Sequence, residues 1–166
     1  MDGVPKRPPD PRFSNILIDA NIVDEAFPAD EVQAMDRLAE LQSAGLGILL
    51  PYTVKNEINH PSTPASVKQL ASSYIFSIDV GNPPSRFYPQ VRDLLRGNSI
   101  DNRHDADARN LCEAHTWGRF FVTLDKRILK RAEPIRALLA GLWVLKPSEL
   151  VELYDHHVAI DPHPMD

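Results

Sequence analysis

HDADARNLCEAHTWGRFFVTLD, residues 104–125, is the stretch that decides the predicted fold. Positions 108, 111, 112 and 115 recur at i, i+3, i+4 and i+7, which predicts a helix with one buried face. Gly118 ends this helix, and residues 120–122 (FFV) predict a short strand that is buried on both sides. Asp125 follows where that strand ends. In open α/β sheets, the carboxyl edge of the strands is where ligands bind.

The pattern of residues 16–50 predicts a strand, a helix and a second strand, with an acid at the end of the first strand. Residues 16–18 (ILI) form a buried strand that ends at Asp19. Asp30 is the predicted N-cap of a helix that ends at Gly45. Residues 48–50 (ILL) form the next strand. Strands that alternate with helices predict a parallel sheet covered by helices on both faces.

The same patterns predict the remaining elements. A short helix capped by Thr53 ends by Pro61 and carries Glu57 on the side that packs toward the protein. An acid on such a side is costly to bury unless a positive group meets it. We further predict helices at residues 66–76, 86–96 and 126–140, the last interrupted at Pro134, then a strand at residues 142–145 and a final helix from Pro147.

Length and composition predict a single domain with an extension at each end. The chain has 166 residues, which is enough for one sizeable core. Residues 1–13 are rich in proline and predict a disordered lead-in, residues 14–155 form the domain, and residues 156–166 predict a flexible tail. Because the sequence shows neither a secretory signal nor a long apolar segment, we expect a cytoplasmic protein without a membrane span.

The net charge of the chain is evidence on whether it binds nucleic acid. The net charge of −5 argues at first against nucleic acid, because proteins that bind phosphates usually carry a basic patch. Bound divalent cations can invert the local charge of an acidic site, so the position of the acids matters more than their number. The single cysteine, Cys112, lies on the apolar side of a predicted helix and is interpreted as a core residue.

Acidic residues follow or flank the predicted elements at related positions: Asp19, Glu57, Asp107 and Asp125. Each aspartate taken alone is readily explained as a helix cap. Together, carboxylates at one edge of a sheet repel one another unless cations bind or their pKa values rise. A set of oxygen ligands without histidine or cysteine favours Mg²⁺ or Mn²⁺ over Zn²⁺.

The sequence resembles the PIN-domain family, which includes the VapC-like toxin ribonucleases. The resemblance is carried by ILIDAN at residues 16–21, by Glu57, by DARNL with Ala114 and Gly118, by FVTLD at residues 121–125, and by WVLKPSEL at residues 143–150. It covers the chain from residue 15 to about residue 154. The resemblance implies a three-layer α/β/α sandwich with a central parallel sheet, and a metal-dependent endonuclease that acts mostly on RNA.

The resemblance also implies roles for individual residues. Asp19, Glu57, Asp107 and Asp125 correspond to the metal-binding and catalytic acids, with Asn21 and Thr123 as supporting polar groups. Asp105 stands two residues before Asp107, and either could be the third acid. We prefer Asp107, because its spacing to Gly118 and Asp125 fits the family better; Asp105 is then a helix cap or a supporting group.

The predicted reaction is hydrolysis of RNA phosphodiester bonds by water bound to Mg²⁺ or Mn²⁺. Basic residues that flank the acids in sequence could contact phosphates: Arg103, Arg109, Lys126 and Arg127. For these basic residues, a solvated helix surface is the competing interpretation. Single-stranded or structured RNA is favoured over duplex DNA by analogy with the family.

Two further interpretations stay open. The toxin resemblance implies an antitoxin protein that covers the acidic groove, and a homodimer. A different class of function is a catalytically silent PIN-fold module that binds nucleic acid or serves as a scaffold. The presence of all four expected acids argues against the silent module.

Overall fold

The computed structural model of the chain describes residues 7–19, 27–50, 61, 76–77, 86–97 and 105–162. The helices are α1 (Ala29–Ser43), α2 (Tyr88–Arg96), α3 (Asp105–Trp117), α4 (Lys126–Leu129), α5 (Ala132–Leu138) and α6 (Pro147–Ile160), with a short 3-10 helix at Pro11–Phe13. The strands are β1 (Ile16–Ile18), β2 (Ile48–Leu50), β3 (Phe76–Ser77), β4 (Phe120–Val122) and β5 (Trp143–Leu145).

The strands form one parallel sheet in the order β3-β2-β1-β4-β5. Leu17 of β1 pairs with Leu49 on one side and with Phe121 on the other. The chain therefore builds outward from β1 through β2 to β3, then crosses to the opposite side of β1 to form β4 and β5. The predicted α/β class and parallel sheet are confirmed.

Alternate residues of the strands belong to two separate cores. Ile16, Ile18, Phe120 and Val122 pack with α1 and α6, whereas Leu17 and Phe121 pack with α2, α3 and α5. Connections between parallel strands are right-handed. Because β2 and β4 lie on opposite sides of β1, the helices of the two halves of the sheet therefore lie on opposite faces. Helices thus cover both faces of the sheet, an arrangement compatible with the predicted three-layer sandwich.

Gly118 joins α3 to β4 at a point where two backbones meet. A Cβ atom added to this residue would lie 2.5 Å from the Asn15 carbonyl oxygen and 2.7 Å from Leu17 Cδ1. The backbone N–H of Arg119 donates to the same Asn15 carbonyl at 3.1 Å. Glycine is therefore required here by close approach, since any side chain would push β4 away from β1.

Several predicted boundaries differ from the structure. Helix α1 begins at Ala29 with Pro28 at the N-cap, so Asp30 lies in the first turn and is not the cap. The break in the 126–140 region falls at residues 130–131, and Pro134 lies in the first turn of α5, where the N–H that proline lacks would have no intrahelical partner. Phe76, predicted as the last residue of a helix, lies in β3.

Both ends of the domain carry more regular structure than the composition predicts. The 3-10 helix Pro11–Phe13 lies within the predicted lead-in, and α6 extends to Ile160, beyond the predicted start of the tail. Arg12 joins the two segments: its guanidinium binds Asp10 and donates to the carbonyl oxygens of Asp161 at 2.7 Å and His157 at 3.4 Å. Long-range contacts of this kind are invisible in local composition.

Glu31 links the two helices that cover one face of the sheet. Its carboxylate is buried and accepts hydrogen bonds from the backbone N–H of Ser148 at 2.9 Å and from the Ser148 hydroxyl at 2.7 Å. Ser148 lies in the first turn of α6, where N–H groups lack intrahelical partners and the helix dipole favours negative charge. An acid of α1 thus caps α6. Among the described residues, none of the helices is long and apolar enough to span a membrane.

Candidate active site at the carboxyl edge of the sheet

Asp19 stands at the point where the strand order reverses. It follows β1, and its backbone N–H donates to the Val122 carbonyl of β4 at 2.9 Å. Chain connections leave β1 and β4 toward opposite sides of the sheet, so their carboxyl ends flank a topological switch point. In open parallel sheets this is the position where ligands bind. The prediction that Asp19 lies at this edge is confirmed.

Thr123 holds the Asp19 carboxylate. The Thr123 hydroxyl donates to Asp19 Oδ2 at 2.8 Å and accepts from the backbone N–H of Asp125 at 3.0 Å. Thr123 is fully buried, and Asp19 is 5% exposed. A carboxylate so removed from water requires hydrogen bonds or cations to compensate for lost solvation. One such bond comes from Thr123, and it fixes the direction of the carboxylate.

Asp125 performs a structural role at the same edge. It is the N-cap of α4, and its Oδ1 accepts from the Arg127 backbone N–H at 2.8 Å. Its Oδ2 lies 3.4 Å from the Arg127 guanidinium. The helix-cap interpretation is therefore correct for Asp125. Because the lone pairs of a carboxylate exceed the bonds made here, a cap can still bind a cation.

Asp105 and Asp107 both lie in the first turn of α3. Asp105 is the first helical residue and is partly buried, and its Oδ1 atom is buried without a hydrogen-bond partner in the part of the chain that the structure describes. Asp107 is also partly buried. Because α3 feeds β4 through a two-residue connection, it runs antiparallel to that strand, so its first turn lies toward the carboxyl edge. The structure leaves the choice of third acid between these two residues open.

Asn110 lies one turn further along α3, on the same side as Asp107. It is fully buried, and neither its amide nitrogen nor its amide oxygen has a hydrogen-bond partner among the described residues. A buried amide without partners costs about 1–3 kcal/mol. Such a cost in a folded protein indicates a bound water, ion or ligand group. Within the described residues, Asn110 and the Asp105 Oδ1 atom therefore have unused bonding capacity.

Three predicted site residues, Glu57, Asn21 and Arg103, lie outside the described residues. Within the described part of the chain, no group of three or more aspartate, glutamate, histidine or cysteine residues is close enough to hold a metal ion. Asp19, Asp107 and Asp125 alone therefore do not make a complete metal site. The prediction needs a further ligand, and Glu57 is the predicted one.

The donor chemistry fits a hard divalent cation. Asp19 and Asp107 offer carboxylate oxygens, and the unpartnered oxygens of Asp105 and Asn110 are of the type that Mg²⁺ and Mn²⁺ bind. Asp19 would hold such an ion together with Glu57 and an acid of α3. Buried oxygens without partners are the observation that supports this fit.

The predicted phosphate-binding residues within the described chain are exposed. Arg109 lies on α3 with its guanidinium carbon 5.9 Å from the ring centre of Tyr88, and Lys126 begins α4. Arg127 is bound to Asp125, which reduces its availability for phosphate. Arg109 and Lys126 therefore remain candidates for contact with a polyanion.

The sequence patterns did not predict the roles of Asn110 and Glu31, which the structure shows to be buried polar residues. In the sequence, Asn110 was considered only as part of DARNL. It lies three positions after Asp107 and next to the apolar positions of the helix, which could have predicted a buried polar group. Glu31 was overlooked because its partner, Ser148, lies far away in the sequence. Only a tertiary structure shows such a pair.

Comparisons with family models, with curated proteins and with solved structures find no match to this chain.

Proposed function

We propose that this chain is a Mg²⁺- or Mn²⁺-dependent endoribonuclease with a PIN-like three-layer fold. One observation carries the proposal. Asp19 is a nearly buried carboxylate, oriented by the buried Thr123 hydroxyl at the topological switch point of a parallel sheet. A protein does not gain stability by holding a charge in such a place, so a ligand function is the better explanation.

In the proposed reaction, different residues bind the metal ion, orient its ligands and contact the phosphates of the RNA. Asp19, Glu57 and an acid of α3, either Asp107 or Asp105, would hold the cation, and Thr123 keeps the Asp19 carboxylate in one orientation. A cation held there would lower the pKa of a bound water and neutralise charge on the phosphate. Arg109 and Lys126 contact flanking phosphates and position the strand. Asp125 fixes the start of α4, which places Lys126 at the edge of the site.

The wider implications of the PIN resemblance belong to the same proposal. A cytoplasmic toxin ribonuclease would be kept silent by an antitoxin protein that places a cationic group among the carboxylates. It would act as a homodimer on single-stranded or structured RNA.

A catalytically silent module is the second candidate, and one observation favours it. Both Asp125 oxygens face Arg127 groups, one as a helix cap and the other across 3.4 Å, so one of the predicted ligands is already occupied. Such a module would bind RNA or a protein partner with the same edge but without turnover.

Cleavage of labelled single-stranded RNA and DNA separates the two candidates. Wild type and Asp19→Asn are compared in Mn²⁺, in Mg²⁺ and in chelator, with Asp36→Asn as the control because Asp36 is an exposed acid on α1. A nuclease cuts RNA only with metal and loses about 10²-fold or more in Asp19→Asn. Metal-dependent stabilisation of the wild type without any cleavage would favour the silent module.

A further inference from the structure

A groove at the opposite edge of the sheet has a chemistry unlike that of the acidic edge. It has a volume of about 410 Å³ and lies beside the residues that precede β1, β4 and β5. Its lining includes Phe13, Ser14, Asn15, His115, Trp117 and Arg119.

The groove carries positive but no negative charge. None of the described residues that line it is acidic, although the chain as a whole has a net charge of −5. Arg119 is exposed and, among the described residues, has no ion-pair partner. Burial lowers the pKa of His115, partly opposed by its hydrogen bond to the Ala140 backbone, so this ring is mostly neutral near pH 7. Arg119 is therefore the cation that the groove offers to an anion.

Two exposed aromatic rings line the same groove. Phe13 is 78% exposed and Trp117 is 37% exposed, and the only other large apolar side chain exposed in the described part of the chain is Ile160. Exposed aromatic rings beside a free arginine can stack on nucleobases while the arginine binds phosphate. Asn15 and Ser14 add polar groups that can meet the edges of a base.

The walls of the groove are built by bonds within the protein. The Asn15 side-chain amide donates to the Trp117 carbonyl at 2.8 Å, and the Arg119 N–H donates to the Asn15 carbonyl at 3.1 Å. The Thr116 hydroxyl donates to the Cys112 carbonyl at 2.9 Å. The backbone that carries Trp117 and Arg119 is thus tied to the segment that precedes β1. The backbone positions from which the Trp117 ring and the Arg119 guanidinium project are therefore held by the same segment.

We propose that this groove is a second binding site for single-stranded RNA, with bases stacked on Phe13 and Trp117 and a phosphate bound by Arg119. The proposal rests on the proposed function only for the choice of RNA as the polymer. Helix α3 separates the two sites: its 13 residues span about 20 Å. A strand of about six nucleotides, at about 3.4 Å each, covers that length.

Binding is measured with fluorescently labelled single-stranded RNA of about twelve nucleotides, by anisotropy, in chelator and without divalent metal. Intrinsic fluorescence reports the contact directly, because Trp117 is exposed whereas the other tryptophan, Trp143, is 8% exposed. We expect the RNA to quench Trp117 fluorescence. Phe13→Ala and Trp117→Leu should each weaken binding about tenfold.

Charge and specificity are tested in the same assay. Arg119→Gln should weaken binding and reduce the slope of log affinity against log salt by about 0.7, the value for one phosphate contact on a single strand. Arg119→Lys should retain most of the affinity. Ile160→Ala, which changes the exposed apolar residue outside the groove, should bind as the wild type does.

Three results would overturn the proposal: no quenching by RNA, unchanged affinity in both aromatic variants, or equal affinity for a free mononucleotide and for the oligonucleotide. Failure of the nuclease proposal is recognised separately, because the binding assay requires neither metal nor cleavage.

Discussion

Thr123 fixes the geometry of the acidic edge through two hydrogen bonds, one to Asp19 and one from the Asp125 backbone. The sequence predicted a supporting polar group at this position. It could not predict that the hydroxyl bridges β1 and the turn after β4, because Asp19 and Thr123 are 104 residues apart. Residue types at strand ends are readable from sequence, whereas the contacts between them depend on strand order.

Replacement of the Thr123 hydroxyl by a methyl group should separate its two roles. Thr123→Val retains shape but leaves a buried carboxylate and a backbone N–H without their partner, so we expect a loss of about 1–3 kcal/mol in the free energy of unfolding. Metal-dependent cleavage should fall more than tenfold. Urea denaturation and oligonucleotide cleavage measure the two effects. Thr123→Ser, which keeps the hydroxyl, is the control, and equal losses in both variants would contradict this role.

Replacement of Asn110 should have a different effect, because within the described residues its amide has no hydrogen-bond partner to lose. Asn110→Leu should leave the free energy of unfolding in chelator unchanged or raise it by about 1–3 kcal/mol, since an unpartnered buried amide is replaced by an apolar group. The same change should reduce the stabilisation that Mn²⁺ gives to the wild type. Thermal melts with and without Mn²⁺ provide both numbers. Destabilisation in chelator would show that the amide is bonded within the fold.

At the scale of elements, the connection between α1 and α6 depends on one carboxylate. Glu31→Gln keeps an acceptor for Ser148 but removes the negative charge at the start of α6, and we expect a loss of about 1 kcal/mol. Glu40→Gln is the matched control, because Glu40 is an exposed acid on the same helix and should change stability by less than about 0.5 kcal/mol. Equal urea midpoints for the two variants would exclude the cap.

At the junction of α3 and β4, stability should depend on the absence of a side chain at Gly118. Gly118→Ala places a methyl group 2.5 Å from a backbone oxygen that cannot move without disturbing β1. We expect a loss of about 1–3 kcal/mol in the free energy of unfolding, measured by urea denaturation. Because Asn15 and Trp117 lie at the same junction, RNA binding in the proposed groove should weaken as well. An unchanged urea midpoint would mean that the two backbones are further apart than the structure shows.

Elements were predictable where a local pattern decides them. The buried strands β1, β2, β4 and β5 were recognised from short apolar runs, and Gly118 from its position after an amphipathic stretch. The 3-10 helix at Pro11–Phe13 and the end of α6 were not recognised, because Arg12 stabilises both through contacts between distant segments. Glu57 and Asn21 lie outside the described residues, so their part of the candidate site stays a prediction.

For the whole molecule, acid stability should depend on Asp10. Burial alone would raise the pKa of Asp10, but hydrogen bonds and charge from Arg12, with a contribution from His157, lower it below its ordinary value. A carboxyl group with a lowered pKa in the folded state stabilises the fold above its unfolded pKa, and that stabilisation disappears as pH falls through the folded pKa. The advantage of wild type over Asp10→Asn should therefore be full near pH 7 and decline below about pH 4.

Urea midpoints measured between about pH 2.5 and pH 7 test this dependence. Asp36→Asn serves as the control, because Asp36 is exposed and its variant should follow the wild-type curve. A stability difference between wild type and Asp10→Asn that stays constant over the whole range would contradict the assignment.

The hydrogen bond between Arg12 and the Asp161 carbonyl has a consequence for how the polypeptide can be cut and rejoined. It joins the Arg12 guanidinium to the Asp161 carbonyl oxygen at 2.7 Å, so the first and last segments of the described chain lie next to each other. If a linker joined these two segments, the chain could begin at another loop and every helix and strand would keep the same neighbours. A circular permutant that links these two segments and begins between α4 and α5 would therefore inherit the sheet order, the acidic edge and the aromatic groove unchanged.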